Sequence, residues 1–237
     1  MKKGLDFPEK TAIINHGHAG VAHLVERHLA KVEVAGSSPV TRSKTYLCCN
    51  AKVRFLFLSR GDFMLSIRVI DEAHKADINI PNEPFPIFGK MIPSCRDGVW
   101  SYRVETFPET SWMRFPDENY DYDAMTRETV FLGAYDGERC VGLAVLQKGF
   151  FHYMYLLDLK VNADARKQGV GAGLMEAAKK IAREKGYGGV YCQAQDDNLA
   201  ACLFYLKCGF YIGGFDNALY KGSRQEGKAD ILFYLDC

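Results

Sequence analysis

LDLKVNADARKQGVGAGLMEAAKK, residues 157–180, decides the architecture. It reads as a strand that ends near Val161, a turn rich in glycine, and a helix from Gly169 to Lys185. Leu174, Ala177, Ala178 and Ile181 fall on one helical face, and Gly186 is placed to stop the helix. Closely spaced glycines let a backbone approach a ligand without interference from Cβ atoms. The first N–H groups of a helix have no internal partner and carry partial positive charge. A pyrophosphate is the natural occupant of such a turn, with Arg166 and Lys167 as cationic neighbours. A dinucleotide-binding turn uses the same physics but needs G-x-G-x-x-G and an acidic residue about 20 positions on. Here the glycines read G-V-G-A-G, and no such acid ends a second strand. A phosphate loop of the Walker type needs Gly-Lys-Ser/Thr at its end, which is missing.

Outward from this turn, the chain from Met64 reads as one α/β domain. SIRVI at 66–70 is strand-like. Residues 81–98, rich in proline and glycine, predict a loop with a short helix. WSYRVETF at 100–107 alternates as a strand does, and 108–125 is polar and acidic. Two β-rich runs at 129–147 flank Asp136-Gly137, a hairpin turn signal. Phe151–Val161 is a third run, GVYCQAQ at 189–195 another, and Asn198–Cys208 a short helix with Gly209 after it. Strands at 210–220 and 229–236 close the chain. The order predicts a mixed, layered α/β fold.

Composition sets the outer bounds. The 237 residues are 48% hydrophobic and 25% charged, which fits a globular protein. No apolar run nears the roughly 20 residues that span a bilayer, and no apolar segment follows the charged N-terminus as a secretory signal would. Eight cysteines are scattered without a C-x-x-C pair, so reduced thiols and a cytoplasmic protein are expected, with no metal. The net charge of +1 hides a split: residues 1–63 carry +5 and residues 64–237 carry −4. Neither nucleic acid nor membrane is an expected partner.

Residues 1–63 have an unusual texture. GVAHLVERHLAKVEVAGSSPVTRS at 20–43 resembles a peptide translated through a tRNA gene. Arg60-Gly61-Asp62 can be encoded by a ribosome-binding sequence, two codons before Met64. Met64 is therefore the expected native start, with 1–63 a non-native or disordered extension and 64–237 the working domain. The alternative is a genuine extension with a helix at 20–32.

A second pattern follows the glycine turn by about 30 residues: Asn198, Ala201, Tyr205, Gly209 and Phe210 in NLAACLFYLKCGF. Together with Arg166, Gly169 and Gly171, it resembles the paired signatures of the GNAT N-acetyltransferases. DINIPNEPFPIFGKMIP at 77–93, LLDLKV, the stretch 192–220 and the closing ILFYL resemble the streptothricin acetyltransferases within that family. The resemblance implies a mixed, mostly antiparallel sheet with splayed strands that hold acetyl-CoA, and no metal. It implies that the pantetheine arm pairs with Leu159, Lys160 and Val161. The pyrophosphate would meet Arg166, Lys167, Gln168, Gly169, Val170, Gly171, Ala172 and Gly173. Asn198 would touch the pantetheine arm, and Tyr205 would be the general acid to the departing thiolate. The implied acceptor is an amino group of the β-lysine arm of streptothricin, with antibiotic resistance as the outcome. Dimerisation is frequent in the family.

The residues alone leave more open. Tyr205 also reads as a core aromatic, among Leu199, Cys202, Leu203, Phe204 and Leu206. Asp158 interrupts the apolar run YMYLLDLKV, where a charge is costly unless paired or functional. It is the candidate base or ammonium-binding group, with His152 a weaker one. Seven carboxylates lie in 97–125. Of these, Asp117, Glu118, Asp121 and Asp123 are the candidate contacts to a cationic substrate, or simply a solvated loop. An acetyltransferase for another amine (an aminoglycoside, a polyamine, a protein N-terminus or lysine) and a non-catalytic acyl-CoA-binding module are the alternatives.

Overall fold

The structure is a computed structural model that describes residues 54–58, 64–149 and 151–237. Among the described residues, ten strands and three α-helices follow one another. They are β1 (Arg54–Leu58), β2 (Met64–Val69), β3 (Phe85–Arg96), β4 (Val99–Met113), α1 (Tyr122–Met125), β5 (Thr129–Asp136), β6 (Arg139–Gln147), β7 (Tyr153–Val161), α2 (Val170–Glu184), β8 (Gly189–Gln195), α3 (Leu199–Lys207), β9 (Tyr211–Asp216) and β10 (Asp230–Asp236). Short 3₁₀ turns cover Glu72–Asn79 and Ala163–Ala165.

Eight strands form one sheet in the order β1-β2-β5-β6-β7-β8-β10-β9, and β3 and β4 form a separate ribbon. Every pair in the large sheet is antiparallel except β7 with β8. This is the mixed, mostly antiparallel arrangement expected. The extension expected over 1–63 falls mostly outside the described residues. Its described part, Arg54–Leu58, pairs with Met64–Val69 at the edge of the sheet.

Helices α2 and α3 cover one face. The α2 face made by Val170, Leu174, Ala177, Ala178 and Ile181 joins a core with Leu132, Ala144, Leu156, Leu159 and Val190. Small residues on this face let the helix lie close to the strands. The opposite face is covered near β5 and β6 by the 72–79 turn and the segment 120–125. There Ile78, Ile80, Tyr120 and Tyr122 pack on Phe131, Leu143 and Val145. Asn79 fixes this cover by donating to the Tyr120 carbonyl at 2.9 Å and accepting from the Tyr120 N–H at 2.6 Å.

One expectation fails. Residues 85–96 are a strand, not a loop with a short helix, and β4 runs on to Met113. The ribbon tolerates Pro86 and Pro93 because each of its strands has one partner, so a missing N–H can face outward. Gly89 sits at the irregularity in its register, where a Cβ would lie 2.5 Å from the Glu105 carbonyl. The only helical turn of this region lies earlier, at 72–79.

Candidate functional site

The sheet comes apart in its middle. β7 and β8 pair only from Tyr153 to Tyr155, opposite Gly189 to Tyr191. Beyond that point β7 stays with β6 as far as Val161, while β8 stays with β10 as far as Gln195. The stretch Leu156–Val161 therefore shows an edge without a neighbouring strand on its β8 side. A bulge opposite Val145 and Leu146 adds one residue to β7 here. The extra residue is Leu157, which packs on the face away from the helices, where the Asp158 carboxylate also meets Tyr120.

The free edge runs into the glycine turn. Lys167 and Gly169 adopt left-handed backbone, with φ of 64° and 85°. At Gly169, the residue before the first turn of α2, any other residue would be strained. The first helical bond runs from the Gly173 N–H to the Gly169 carbonyl at 2.9 Å, so the N–H groups ahead of Gly173 lack helical partners. Lys167 and Ala172 are exposed, and Gly171 and Gly173 are buried. Gln168 braces the turn by donating to the Asp164 carbonyl at 2.9 Å. Arg166 turns inward, donating to the Val161 carbonyl at 3.0 Å and to Glu83 at 3.1 Å. It shapes the turn through these bonds, and Lys167 is the outward cation. A groove of about 630 Å³ lies alongside, lined by Glu83, Pro84, Pro86, Trp112, Arg166 and Lys167.

Across the split, Asn198 caps α3, its Oδ1 accepting from the Ala201 N–H at 3.2 Å. Its Nδ2 is buried without an acceptor. Tyr205 is fully buried against Phe204, Phe210 and Phe233, so the core-aromatic reading is correct as to packing. Its hydroxyl, however, is buried without a hydrogen-bond partner, beside the Cys192 thiol. Burial holds that phenol well above its ordinary range, so it stays protonated.

Asp158 is fully buried. Its Oδ2 accepts from the Tyr120 hydroxyl at 3.2 Å and lies 3.3 Å from the Lys160 ammonium, whereas its Oδ1 meets no donor. Lys160 is itself buried, paired with Glu118 and near the Ile80 carbonyl at 3.4 Å. Burial pushes the Asp158 carboxyl up to about 7; Lys160 pulls it down and Glu118 pushes it up. The group is thus poised to exchange a proton near neutral pH. Asp158, Asn198 and Tyr205, three residues singled out from sequence, each carry a buried polar atom without a partner. Such atoms are costly in the fold, and a bound ligand can pair them.

The chain matches the model of the acetyltransferase (GNAT) family over residues 96–210. It is 35% identical over 160 residues to streptothricin acetyltransferase A of Bacillus subtilis (strain 168), covering 67% of this chain and 92% of that protein. The chain belongs to the GNAT acetyltransferase family. It is an acetyl-CoA-dependent N-acetyltransferase. A streptothricin acetyltransferase of Streptomyces lavendulae is 31% identical over 134 residues, which are 56% of this chain and 70% of that one. Among solved structures, a Bacillus anthracis protein described as a streptothricin acetyltransferase, in complex with acetyl coenzyme A, superposes with a TM-score of 0.65. It is 30% identical, and the match covers 73% of this chain and 98% of that one. Nourseothricin acetyltransferase has the same fold, with a TM-score of 0.60 at 22% identity and the same coverage.

For this acetyltransferase, the residues present fit acetyl-CoA. A free strand edge at Leu159–Val161, helix N–H groups without partners at the glycine turn, and the Asn198 amide are the donors and acceptors such a molecule needs. The acidic segment is less uniform than its sequence. Glu118 reaches Lys160 and accepts from Asn82 at 3.0 Å. Asp117 accepts from the Asn82 N–H at 2.7 Å and pairs with Arg114 at 3.1 Å. Asp121 caps α1 through the Ala124 N–H, and Asp123 pairs with Lys75 at 3.5 Å on the surface. Only Glu118 belongs to the Asp158 cluster. His152 packs at the strand end beside Gly188 and Tyr153, away from it. Sequence reading missed the side chain of Lys160, the bond from Tyr120, taken only as an aromatic that could pack on the substrate, to Asp158, and the bonds of Asn82 and Glu83. The one available signal was Lys160, a second charge two residues after Asp158 in an apolar strand.

Proposed function

We propose that this acetyltransferase modifies an amino group of the β-lysine arm of streptothricin, giving resistance to that antibiotic. The observation that carries this reading is the buried Asp158, placed where the free edge of β7 begins. Its near-neutral proton affinity suits an acceptor that arrives as an ammonium and must become an amine before it attacks. The names of the relatives aligned over most of their length support the substrate.

When bound, acetyl-CoA supplies an activated acetyl thioester. The N–H groups of Gln168 to Ala172 hold a pyrophosphate against the positive end of α2, with Lys167 outside; the Gly173 N–H is engaged by the Gly169 carbonyl. Leu159, Lys160 and Val161 offer backbone groups to an extended amide chain, as an added strand would use them. Asn198 Nδ2 donates to a carbonyl of that chain. Asp158 receives the proton of the acceptor ammonium, directly or through a water. Tyr205 keeps its proton at neutral pH and gives it to the departing sulfur.

The test is an acetylation assay with streptothricin and acetyl-CoA, with thiol release followed and the product mapped by mass spectrometry. One acetyl group on the β-lysine arm is expected. Transfer to other amines in a panel, but not to streptothricin, would remove this substrate. Tyr205→Phe is expected to lower kcat by about 10²-fold or more. Because the lost hydroxyl has at most a weak contact with the Cys192 thiol, the thermal midpoint should change little.

A further inference from the structure

A second acidic group lies on the far lip of the split. Asp230 opens β10 opposite Gln195, the last residue of β8, and both have 0% of their surface exposed. One Asp230 oxygen accepts from the Tyr220 hydroxyl at 2.8 Å; the other is buried and meets no donor. Burial and the neighbouring Asp216, Asp196 and Asp197 raise this carboxyl to about 6. One oxygen of Asp197 is likewise buried without a donor.

The chain itself shows which chemistry this group accepts. The Lys228 ammonium sits on Asp197 at 2.9 Å and on Gln195 Oε1 at 3.2 Å, and Lys90 acts on Asp196. No ion pair is recorded for Asp230 among the described residues. Tyr155, the last β7 residue paired with β8, is raised first by burial and then by Tyr191, Cys192, Asp230 and Asp158, so both acids act on the point where the two strands part. From that last pair, strand rise puts Asp158 about 10 Å along β7 and Gln195 about 13 Å along β8. A long acceptor with several charges can reach both.

We propose that Asp230, with Gln195, Tyr220 and the second oxygen of Asp197, forms a second cation subsite. It holds a charged nitrogen of the acceptor other than the amine being acetylated. The ligand class is an ammonium or guanidinium carried by a polycationic amine, and the proposal rests on the substrate reading above. A buried acceptor atom without a donor is costly in the fold, and a charge-assisted bond from the ligand removes that cost on binding. Tyr220, Gln225 and Lys228 come from the loop between β9 and β10, which forms the outer wall.

The test compares the full-length enzyme with Asp230→Asn. KM for streptothricin should rise tenfold or more, with kcat and KM for acetyl-CoA within twofold. Turnover of β-alaninamide, an acceptor with a single amine, should not change. Removing a crowded charge should also raise the thermal midpoint, which a merely structural aspartate would not do. An unchanged KM for streptothricin, or an equal loss for both acceptors, overturns the subsite. Calorimetric titration with agmatine, which carries an ammonium and a guanidinium, reads the subsite without turnover. Binding at least fivefold weaker to Asp230→Asn supports it, and equal binding overturns it. Failure of the unaltered enzyme to acetylate streptothricin overturns the substrate reading, and the agmatine result still decides the subsite.

Discussion

The loop 114–123 and the lips of the split sheet are both acidic, yet their carboxylates are in opposite condition. In the loop, each candidate acid is already engaged: Asp117 with Arg114 and Asn82, Glu118 with Lys160, Asp121 with a helix N–H, and Asp123 with Lys75. At the split, Asp158 and Asp230 are fully buried, and each keeps one oxygen without a donor. Burial pushes both carboxyls upward, to about 7 and about 6. Acids that the fold has satisfied hold the structure together. Acids that the fold leaves unsatisfied carry a cost that a ligand can relieve. Charge counted along a sequence does not separate the two kinds.

The largest expected effect falls on the split. Asp158→Asn should lower kcat/KM by about 10²-fold or more near neutral pH. In the unaltered enzyme, activity should rise with pH through an apparent pKa near 7, as Asp158 loses its proton. The variant should lack that limb, and a pH profile that keeps it would assign the limb to another group.

Next comes stability, where the two regions should move in opposite directions. The Asp230 carboxyl is raised in the fold, so its stabilising effect is complete below the unfolded value near 4. It is lost as pH climbs through about 6. Asp230→Asn should therefore match the unaltered protein below pH 4 and melt several degrees higher at pH 8. A constant difference across that range would break the contrast.

In the loop, removal should cost. Asp121→Ala deletes a cap on a short helix and should lower stability by up to about 1 kcal/mol, measured by denaturant titration. The smallest effect belongs to Asp123→Asn, whose exposed pair with Lys75 should leave stability within error. If Asp121→Ala or Asp123→Asn instead raised KM for the amine as strongly as Asp230→Asn, the loop would join the substrate site.

Much of the frame was legible in the sequence. The glycine turn, the amphipathic α2, the Asp136-Gly137 hairpin and the Asn198–Tyr205 helix depend on local rules of periodicity and turn chemistry. Asp158 stood out because a charge inside an apolar strand needs a reason. In the ribbon, the strand at 100–107 was legible within β4, but β3 was not, because Pro86, Gly89 and Pro93 signal a break wherever a strand is taken to need two neighbours. Lys160 and Glu118 lie 42 positions apart, and Tyr220 meets Asp230 only because a loop folds back. Such pairings are set by topology, not by any local pattern. Arg166 taught the same lesson: its place beside the turn suggested a phosphate contact, but its guanidinium is held by Glu83, from more than 80 residues away.

That contact is part of a short strap with two ends. The Ile80 carbonyl lies over Lys160, Asn82 holds Asp117 and Glu118, and Glu83 receives both Arg166 and the Ala163 N–H. Four consecutive residues thus bear on the acceptor acids at one end and on the phosphate turn at the other. A segment that two ligands both need ordered makes their affinities interdependent, and the dependence is the same in either direction. The enzyme should therefore bind its two substrates cooperatively, each lowering the Kd of the other by the same factor.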